Sequence, residues 1–442
     1  MSQEINSRTL IVKKNIIWSF LIRGIGILVS LLLVPATIGY VSPELYGVWL
    51  TLASIMTWLG FADIGFTQGL KNKLAEAIAK NDYERGKALV STTYFLMVII
   101  FIPICIILEL LIPYVNWTGL LNIDSAYSDE IKKVMYVLVA FACMQMIVNV
   151  LVSVIAAFQK VALSNSFLVI GNIISLIIIC ILRVVSPPSL IALAFSIAAM
   201  PILVTLVATF ILFYGKFRDV SPNIGYIRTN LIKDLFNLGY KFFIINIQVL
   251  ILYQSTNILI ANVSSPLDVT NYNIAYKLLS CAMMVYTIIT APLWPAYTDA
   301  YTRGDFFWMK SMRRKMTKIL LLSIIGCFFL AIMSNPIYSV WIGDNVSVPS
   351  LMTFVVAIYV SIYCWMNLNG TLIVGMGKIQ VETFLVLIGM ILHIPLSLYL
   401  AKFYGAYGVL ISLIAINIIY AIVMNVQVDK LLNGTAKGIW KK

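Results

Sequence analysis

The chain has 442 residues, 61% hydrophobic and 11% charged, with 31 Lys and Arg against 18 Asp and Glu, a net charge of +13. A soluble protein of this length has too little interior to hide so much apolar surface, which excludes a soluble enzyme or binding domain. The basic excess alone would suit nucleic acid, but its distribution along the chain marks a topology signal instead, and no nucleic-acid partner is expected.

Apolar runs of 18 residues or more recur from end to end, each enough to cross a hydrocarbon core of roughly 30 Å. They predict about twelve spans: 15–38, 46–70, 88–112, 131–158, 164–186, 190–214, 236–262, 271–296, 313–336, 350–374, 382–402 and 408–430. The first run is too long for the core of a signal peptide. Both termini and the even-numbered loops carry most of the basic residues, including Lys71, Lys73, Arg85 and Lys87 before span 3 and Lys310, Arg313, Arg314, Lys315 and Lys318 around the start of span 9. The opposite loops hold only Lys132, Lys133, Arg183 and Lys402. The positive-inside rule then puts both termini in the cytoplasm, with basic loops able to meet anionic lipid. All six cysteines lie inside apolar runs without paired spacing, so neither a disulfide nor a metal site is expected.

The chain echoes itself. Ala77-Ile-Ala-Lys-Asn-Asp-Tyr83 follows span 2, and Ala300-Tyr-Thr-Arg-Gly-Asp-Phe306 follows span 8, 223 residues later. Ala157-Phe-Gln-Lys-Val161 after span 4 pairs with Gly375-Met-Gly-Lys-Ile379 after span 10 at nearly the same offset. Two echoes in order, in equivalent loops, indicate a duplication. An even number of spans per half gives parallel halves, with a site expected at their interface near mid-membrane.

Four charged side chains fall inside apolar segments. Arg23 is nine residues past Lys14, Asp63 eight before Lys71, and Lys241 eight past Lys233. At 1.5 Å per residue they lie roughly 12–13 Å deep from one side. Lys277 lies toward the other end, in span 8. Such groups must face protein or water, so they mark a polar path. Helical spacing groups Asn15, Ser19, Arg23, Gly26 and Ser30 on one face of span 1. In span 7 it groups Lys241, Gln248 and Ser255, and separately Asn246, Tyr253 and Asn257; in span 8 it groups Asn273, Lys277, Ser280 and Thr287. Spans 1, 7 and 8 therefore read as walls of a hydrophilic cavity with a cationic bias. The plainer readings stay open: Arg23 and Asp63 could pair to lock spans 1 and 2, Lys241 and Lys277 could snorkel, and the amides could bind helices together. His393, the only histidine, could carry a coupling proton or be packed and hydrogen-bonded. No Gly-rich Lys-Ser/Thr phosphate loop supplies an ATP motor.

The stretch Phe61-Ala-Asp-Ile-Gly-Phe-Thr-Gln-Gly-Leu-Lys-Asn-Lys-Leu-Ala-Glu-Ala77 resembles the end of span 2 in bacterial O-antigen and oligosaccharide-unit flippases (Wzx-type). These belong to the multidrug/oligosaccharidyl-lipid/polysaccharide exporter superfamily. Leu45-Tyr-Gly-Val-Trp49, Leu293-Trp-Pro-Ala-Tyr-Thr-Asp-Ala-Tyr301 and Gly375-Met-Gly-Lys-Ile379 are similar to the same family. The resemblance implies an all-α polytopic membrane protein with about twelve transmembrane helices. Two six-helix lobes, residues 1–214 and 236–442 joined by a cytoplasmic linker at 215–235, would form a V around a central cavity. The protein would be a transporter and not an enzyme. It would move a glycan unit on undecaprenyl pyrophosphate from the cytoplasmic to the outer leaflet of the bacterial inner membrane. Arg23, Lys241 and Lys277 would hold pyrophosphate or acidic sugars, and Asn246, Gln248, Tyr253, Asn257 and Asn273 would meet hydroxyls and sugar faces. Asp63 and His393 would serve in charge pairing or in coupling to H+ or Na+. Partners would be membrane lipids, the lipid-linked glycan, and a polysaccharide polymerase with its assembly proteins; no organic cofactor or metal is implied. The alternative within the superfamily is a cation-coupled multidrug exporter. It is disfavoured because Asp63 is the only carboxylate well inside a span.

Overall fold

A computed structural model describes residues 2–59, 63, 65–158, 160–236, 250–290, 293, 297, 300–301, 303–343 and 346–441. Among them there are helices and turns but no strand. In hydrocarbon every backbone polar group must be satisfied within its own segment, which leaves the helix as the local solution for such runs. The chain divides into two compact units, Met1–Leu250 and Ile251–Lys442.

The first unit contains α1 (Ser2–Ile38), α2 (Pro43–Leu59), α3 (Phe66–Ala79), α4 (Tyr83–Leu111), the short α5 (Trp117–Leu121), α6 (Ser128–Ala157), α7 (Val161–Val185) and α8 (Leu190–Tyr214). Within it α6 packs on α4, α7 and α8, and α1 lies along α7. A π-helical turn (Leu250–Gln254) leads into the second unit, which contains α9 (Ser255–Val263), α10 (Pro266–Thr290), α11 (Phe306–Ile332), the short α12 (Ser334–Trp341), α13 (Ser350–Met376), α14 (Gln380–Tyr404) and α15 (Ala406–Leu432). Here α13 packs on α10, α11 and α15, and α14 on α15. Nine helices among the described residues are long and apolar enough to cross a membrane, so the protein is a multi-pass membrane protein. Their outer faces are apolar: α7, for example, exposes Leu168, Ile177, Ile181 and Val184. That surface would aggregate in water and is at home in lipid.

The expected second span is not one helix. α2 ends at Leu59 and α3 begins at Phe66, with Gly65 left-handed at φ 79° before it. Gly65 thus interrupts the helix within residues 46–70, of which 60–62 and 64 lie outside the described residues, and α3 continues to Ala79, well past the expected boundary. Glycine carries the positive φ at the break without a Cβ penalty.

The duplication is written into the hydrogen bonds. Asp82 N donates to Ala77 O at 2.9 Å, and Asp305 N donates to Ala300 O at 2.9 Å, 223 residues on. Asn81 and Gly304 are both left-handed, at φ 55° and 72°, as Asn and Gly tolerate best. Asp82 then caps α4 by accepting from Arg85 N at 3.0 Å, and Asp305 caps α11 by accepting from Trp308 N at 2.9 Å. The second echo behaves alike: Lys160 N donates to Ile155 O, and Lys378 N to Ile373 O, each at 3.1 Å. Packing pairs also repeat, since α4–α6, α6–α8 and α7–α8 correspond to α11–α13, α13–α15 and α14–α15.

Small residues set the tightest crossings. A Cβ on Gly171 of α7 would fall 2.4 Å from Pro201 Cα of α8, and one on Gly389 of α14 would fall on the Tyr420 side chain of α15. Without water to drive association, close backbone approach is what holds membrane helices together. Gly171→Ala should therefore cost about 1–3 kcal/mol by overpacking and lower the thermal midpoint of the purified protein. Gly24→Ala, where a Cβ would meet nothing within 4 Å, should leave that midpoint in place. Equal midpoints for the two variants would refute this account of the α7–α8 crossing.

Candidate substrate site

Inside the first unit, α1, α2, α6, α7 and α8 surround a cavity of about 830 Å3, the volume of a site for a sizeable ligand. Arg23 of α1 lines it, with Gln145 and Asn149 of α6 and Asn165 and Asn172 of α7. Trp49 and Phe141 supply aromatic wall, and the remainder is mostly aliphatic. Gln145 Nε2 donates to Asn149 Oδ1 at 2.6 Å, which orients the pair. Arg23 is exposed and makes no hydrogen bond or ion pair with any described residue. Its five N–H donors are thus available to the cavity. A guanidinium among amides and aromatic faces can take a phosphate or carboxylate by paired charge-assisted bonds while the amides serve hydroxyl groups.

Asp63 is not Arg23's partner. The residue sits in the break between α2 and α3, where Thr67 N donates to Oδ1 at 3.1 Å and the Thr67 hydroxyl donates to Oδ2. Of the readings left open by the sequence, the one in which Arg23 and Asp63 pair to lock spans 1 and 2 is therefore not the arrangement found. The carboxylate meets the start of α3, where unpaired backbone N–H groups and the positive end of the helix dipole favour an anion.

In the second unit the structure brings together three of the expected residues. Asn273 Nδ2 of α10 donates to Asn257 Oδ1 of α9 at 2.8 Å, and Tyr253 Oη donates to Asn417 Oδ1 of α15 at 3.3 Å. Around them Tyr253, Tyr363, Tyr359, Tyr276 and Tyr272 form a chain of ring contacts, with centroids 5.8–6.4 Å apart. Lys277 of α10 is half-buried and has no ion pair among the described residues. Lys241, Asn246 and Gln248 lie outside the described residues. His393 is fully buried on α14, its Nδ1 3.3 Å from Ser412 Oγ and 3.4 Å from Ser397 Oγ, while Ser412 Oγ donates to His393 O. These are the contacts of a packed, hydrogen-bonded histidine.

Gln145, Asn149, Asn165 and Asn172 were not among the residues singled out from sequence. Their signal is spacing: steps of four on α6 and seven on α7 place each pair on one face of an otherwise apolar helix.

The chain belongs to the polysaccharide biosynthesis protein family, which matches residues 12–300. A Salmonella typhi protein named as an O-antigen transporter is 23% identical over 407 residues, covering 87% of this chain and 88% of its own. The fold is that of solved transporters. The inward-facing form of a multidrug resistance MATE transporter of the MOP superfamily matches with a TM-score of 0.76 at 14% identity, over 94% of this chain and 98% of its own. The lipid II flippase MurJ, in an inward closed conformation, matches at 0.73 and 13% identity, over 94% and 87%. At such identities the likeness establishes architecture alone.

An ammonium held half-buried without a counter-ion costs free energy. Lys277→Met, which keeps the length of the side chain and removes the charge, should stabilise the purified protein by about 1–3 kcal/mol. A thermal midpoint that falls instead would mean that Lys277 has an attractive partner in the fold.

Proposed function

We propose that this protein is a flippase. It carries a glycan unit on undecaprenyl pyrophosphate from the cytoplasmic to the periplasmic leaflet of the bacterial inner membrane, with both termini in the cytoplasm. The reading rests on Arg23, a guanidinium without a partner among the described residues, at the wall of a cavity of about 830 Å3 that also presents amides and aromatic rings. Family membership and the O-antigen relative support it. The architecture it shares with a lipid II flippase is compatible with that reading.

The physical difficulty is to move a hydrated sugar and its charged linkage across hydrocarbon while a long polyprenyl tail stays in it. Amides such as Asn149, Asn165 and Asn172 replace the water hydrogen bonds of the hydroxyls, and Trp49 and Phe141 offer faces to the apolar sides of sugar rings. Arg23 compensates a phosphate or an acidic sugar. Lys277, beside the Asn257–Asn273 pair, does the same in the second unit. Movement is alternating access, one duplicated half rocking against the other, and its direction comes from a coupling H+ or Na+ or from the membrane potential. The product is then available to a polysaccharide polymerase at the outer leaflet.

Arg23→Ala should reduce surface glycan at least tenfold in cells that depend on this protein, at unchanged membrane abundance. One charge-assisted contact of about 1.4 kcal/mol is tenfold in affinity. Arg23→Lys should recover part of the loss, since it restores charge without the planar fork. Immunoblots of glycan ladders read both effects, and a full ladder from Arg23→Ala would remove the residue from the proposed role.

A further inference from the structure

The duplicated turn and helix isolate one difference between the halves. In the first unit the chain after α8 covers the start of α4. Ser91 Oγ accepts from Asn223 N and Thr92 Oγ1 accepts from Arg228 N, each at 2.9 Å, and Lys87 Nζ lies 4.7 Å from the Tyr226 ring centroid. At the 223-residue offset, α11 keeps a lysine, Lys310, in place of Lys87, but carries Arg313, Arg314 and Lys318 in place of Val90, Ser91 and Phe95. The tail after α15 is held elsewhere: Trp440 O accepts from Gln427 Nε2 at 3.5 Å, and its ring lies 4.1 Å from Lys430 Nζ. In place of a covering segment there is a cavity of about 600 Å3, lined by Lys310, Arg313, Arg314 and Lys318 with Asn425 and Asp429 of α15.

Its charge is unbalanced. Asp429 is the one carboxylate in the lining, and it is engaged. Arg313 Nη1 donates to Asp429 Oδ1 at 2.5 Å, Arg313 Nη2 donates to Asn425 Oδ1 at 2.8 Å, and Asn425 Nδ2 donates to Asp429 Oδ2 at 3.3 Å. Arg313 is thereby a fixed wall. Lys310, Arg314 and Lys318 follow at steps of four along α11, with no ion pair among the described residues. Like charges at that spacing repel and destabilise a helix. The matching face of α4 shows that the duplicated fold does not need them. A topology signal needs basic residues in a loop, not three unpaired cations around a concavity.

We infer that this pocket binds the anionic phosphate headgroup of a membrane lipid, with Lys310, Arg314 and Lys318 as its counter-charges. Two lipids present that group: an anionic phospholipid of the surrounding leaflet, and the pyrophosphate of a polyprenyl carrier, the latter resting on the proposed function. Purified full-length protein, delipidated in neutral detergent, is offered phosphatidylglycerol, undecaprenyl pyrophosphate, or phosphatidylcholine, whose own cation covers its phosphate. Native mass spectrometry reads retention. The protein should retain an anionic lipid in preference to phosphatidylcholine, and the triple variant Lys310→Gln, Arg314→Gln, Lys318→Gln should lose that preference at least tenfold. The single exposed change Arg314→Gln should lose it about fivefold, the effect of one cation near a lipid phosphate, and stands in if the triple variant does not fold. Loss confined to phosphatidylglycerol identifies the leaflet as the source, loss confined to undecaprenyl pyrophosphate identifies the carrier, and loss of both shows a pocket that reads the phosphate alone. Arg23→Ala should leave the retention of phosphatidylglycerol unchanged while lowering surface glycan, which separates the two proposals. Equal retention of all three lipids by the unaltered protein, or undiminished preference in the folded variants, overturns the assignment.

Discussion

The constraint behind this structure is that a charge in hydrocarbon must find protein, water or a ligand. Most of the chain obeys by having no charge to place. Where one is present, the structure answers in different ways. Asp63 is absorbed by the first turn of α3 through the Thr67 backbone and hydroxyl. Arg23 is met by no anion among the described residues and faces a cavity instead. Lys277 sits half-buried beside a layer of amides and tyrosines. An unbalanced cation at the wall of a cavity is costly to the free protein, and the energy is recovered when an anion arrives.

That distinction separates two kinds of polar side chain in the second unit. His393 is flanked by Ser397 and Ser412, and its contacts bind α14 to α15. The Asn257–Asn273 bond joins α9 to α10, and the Tyr253–Asn417 bond joins the π-helical turn before α9 to α15. Each such bond is of the kind that contributes about 1 kcal/mol in a membrane, and together they hold short α9 against its neighbours. The same amides can exchange these bonds for sugar hydroxyls only if the helices shift. Under the proposed function, a polar layer that is already self-satisfied would link cargo binding to helix movement.

Several features were legible in the sequence because their causes are local. Apolar runs specify helices wherever the backbone must satisfy itself, so α4, α6, α7, α8, α11, α13, α14 and α15 fall close to their expected positions. The echo around Asp82 and Asp305 was readable because a left-handed residue followed by an Asp cap is a matter of a few neighbouring residues. The break in the second span was not seen. A hydropathy average over residues 46–70 dilutes Asp63 and Gly65 among apolar neighbours, and it assigns no weight to a carboxylate four residues before a threonine. The cavity was half legible. Arg23 stood out as a charge, but Gln145 and Asn172 required knowing that α6 and α7 face α1. That is settled by distant contacts such as Gly26 of α1 against Val169 of α7, and no local signal carries it.

Duplication offers a means of telling architecture from function in one chain. What both halves share is what the backbone demands: the Asp-capped turn, the loop bond of Lys160 and Lys378, and a glycine at the α7–α8 and α14–α15 crossings. What they do not share is chemistry. The start of α4 presents Ser91 and Thr92 to a returning chain, whereas the equivalent stretch of α11 presents Arg314 and its neighbours to a cavity. Had the cations served only to orient the helix, they could have stayed spread over two helices, as Lys71 and Lys73 of α3 and Arg85 of α4 are in the first half. Their displacement onto one stripe of the helix, against their mutual repulsion, requires a second cause, and an external anion is the simplest one that removes the repulsion.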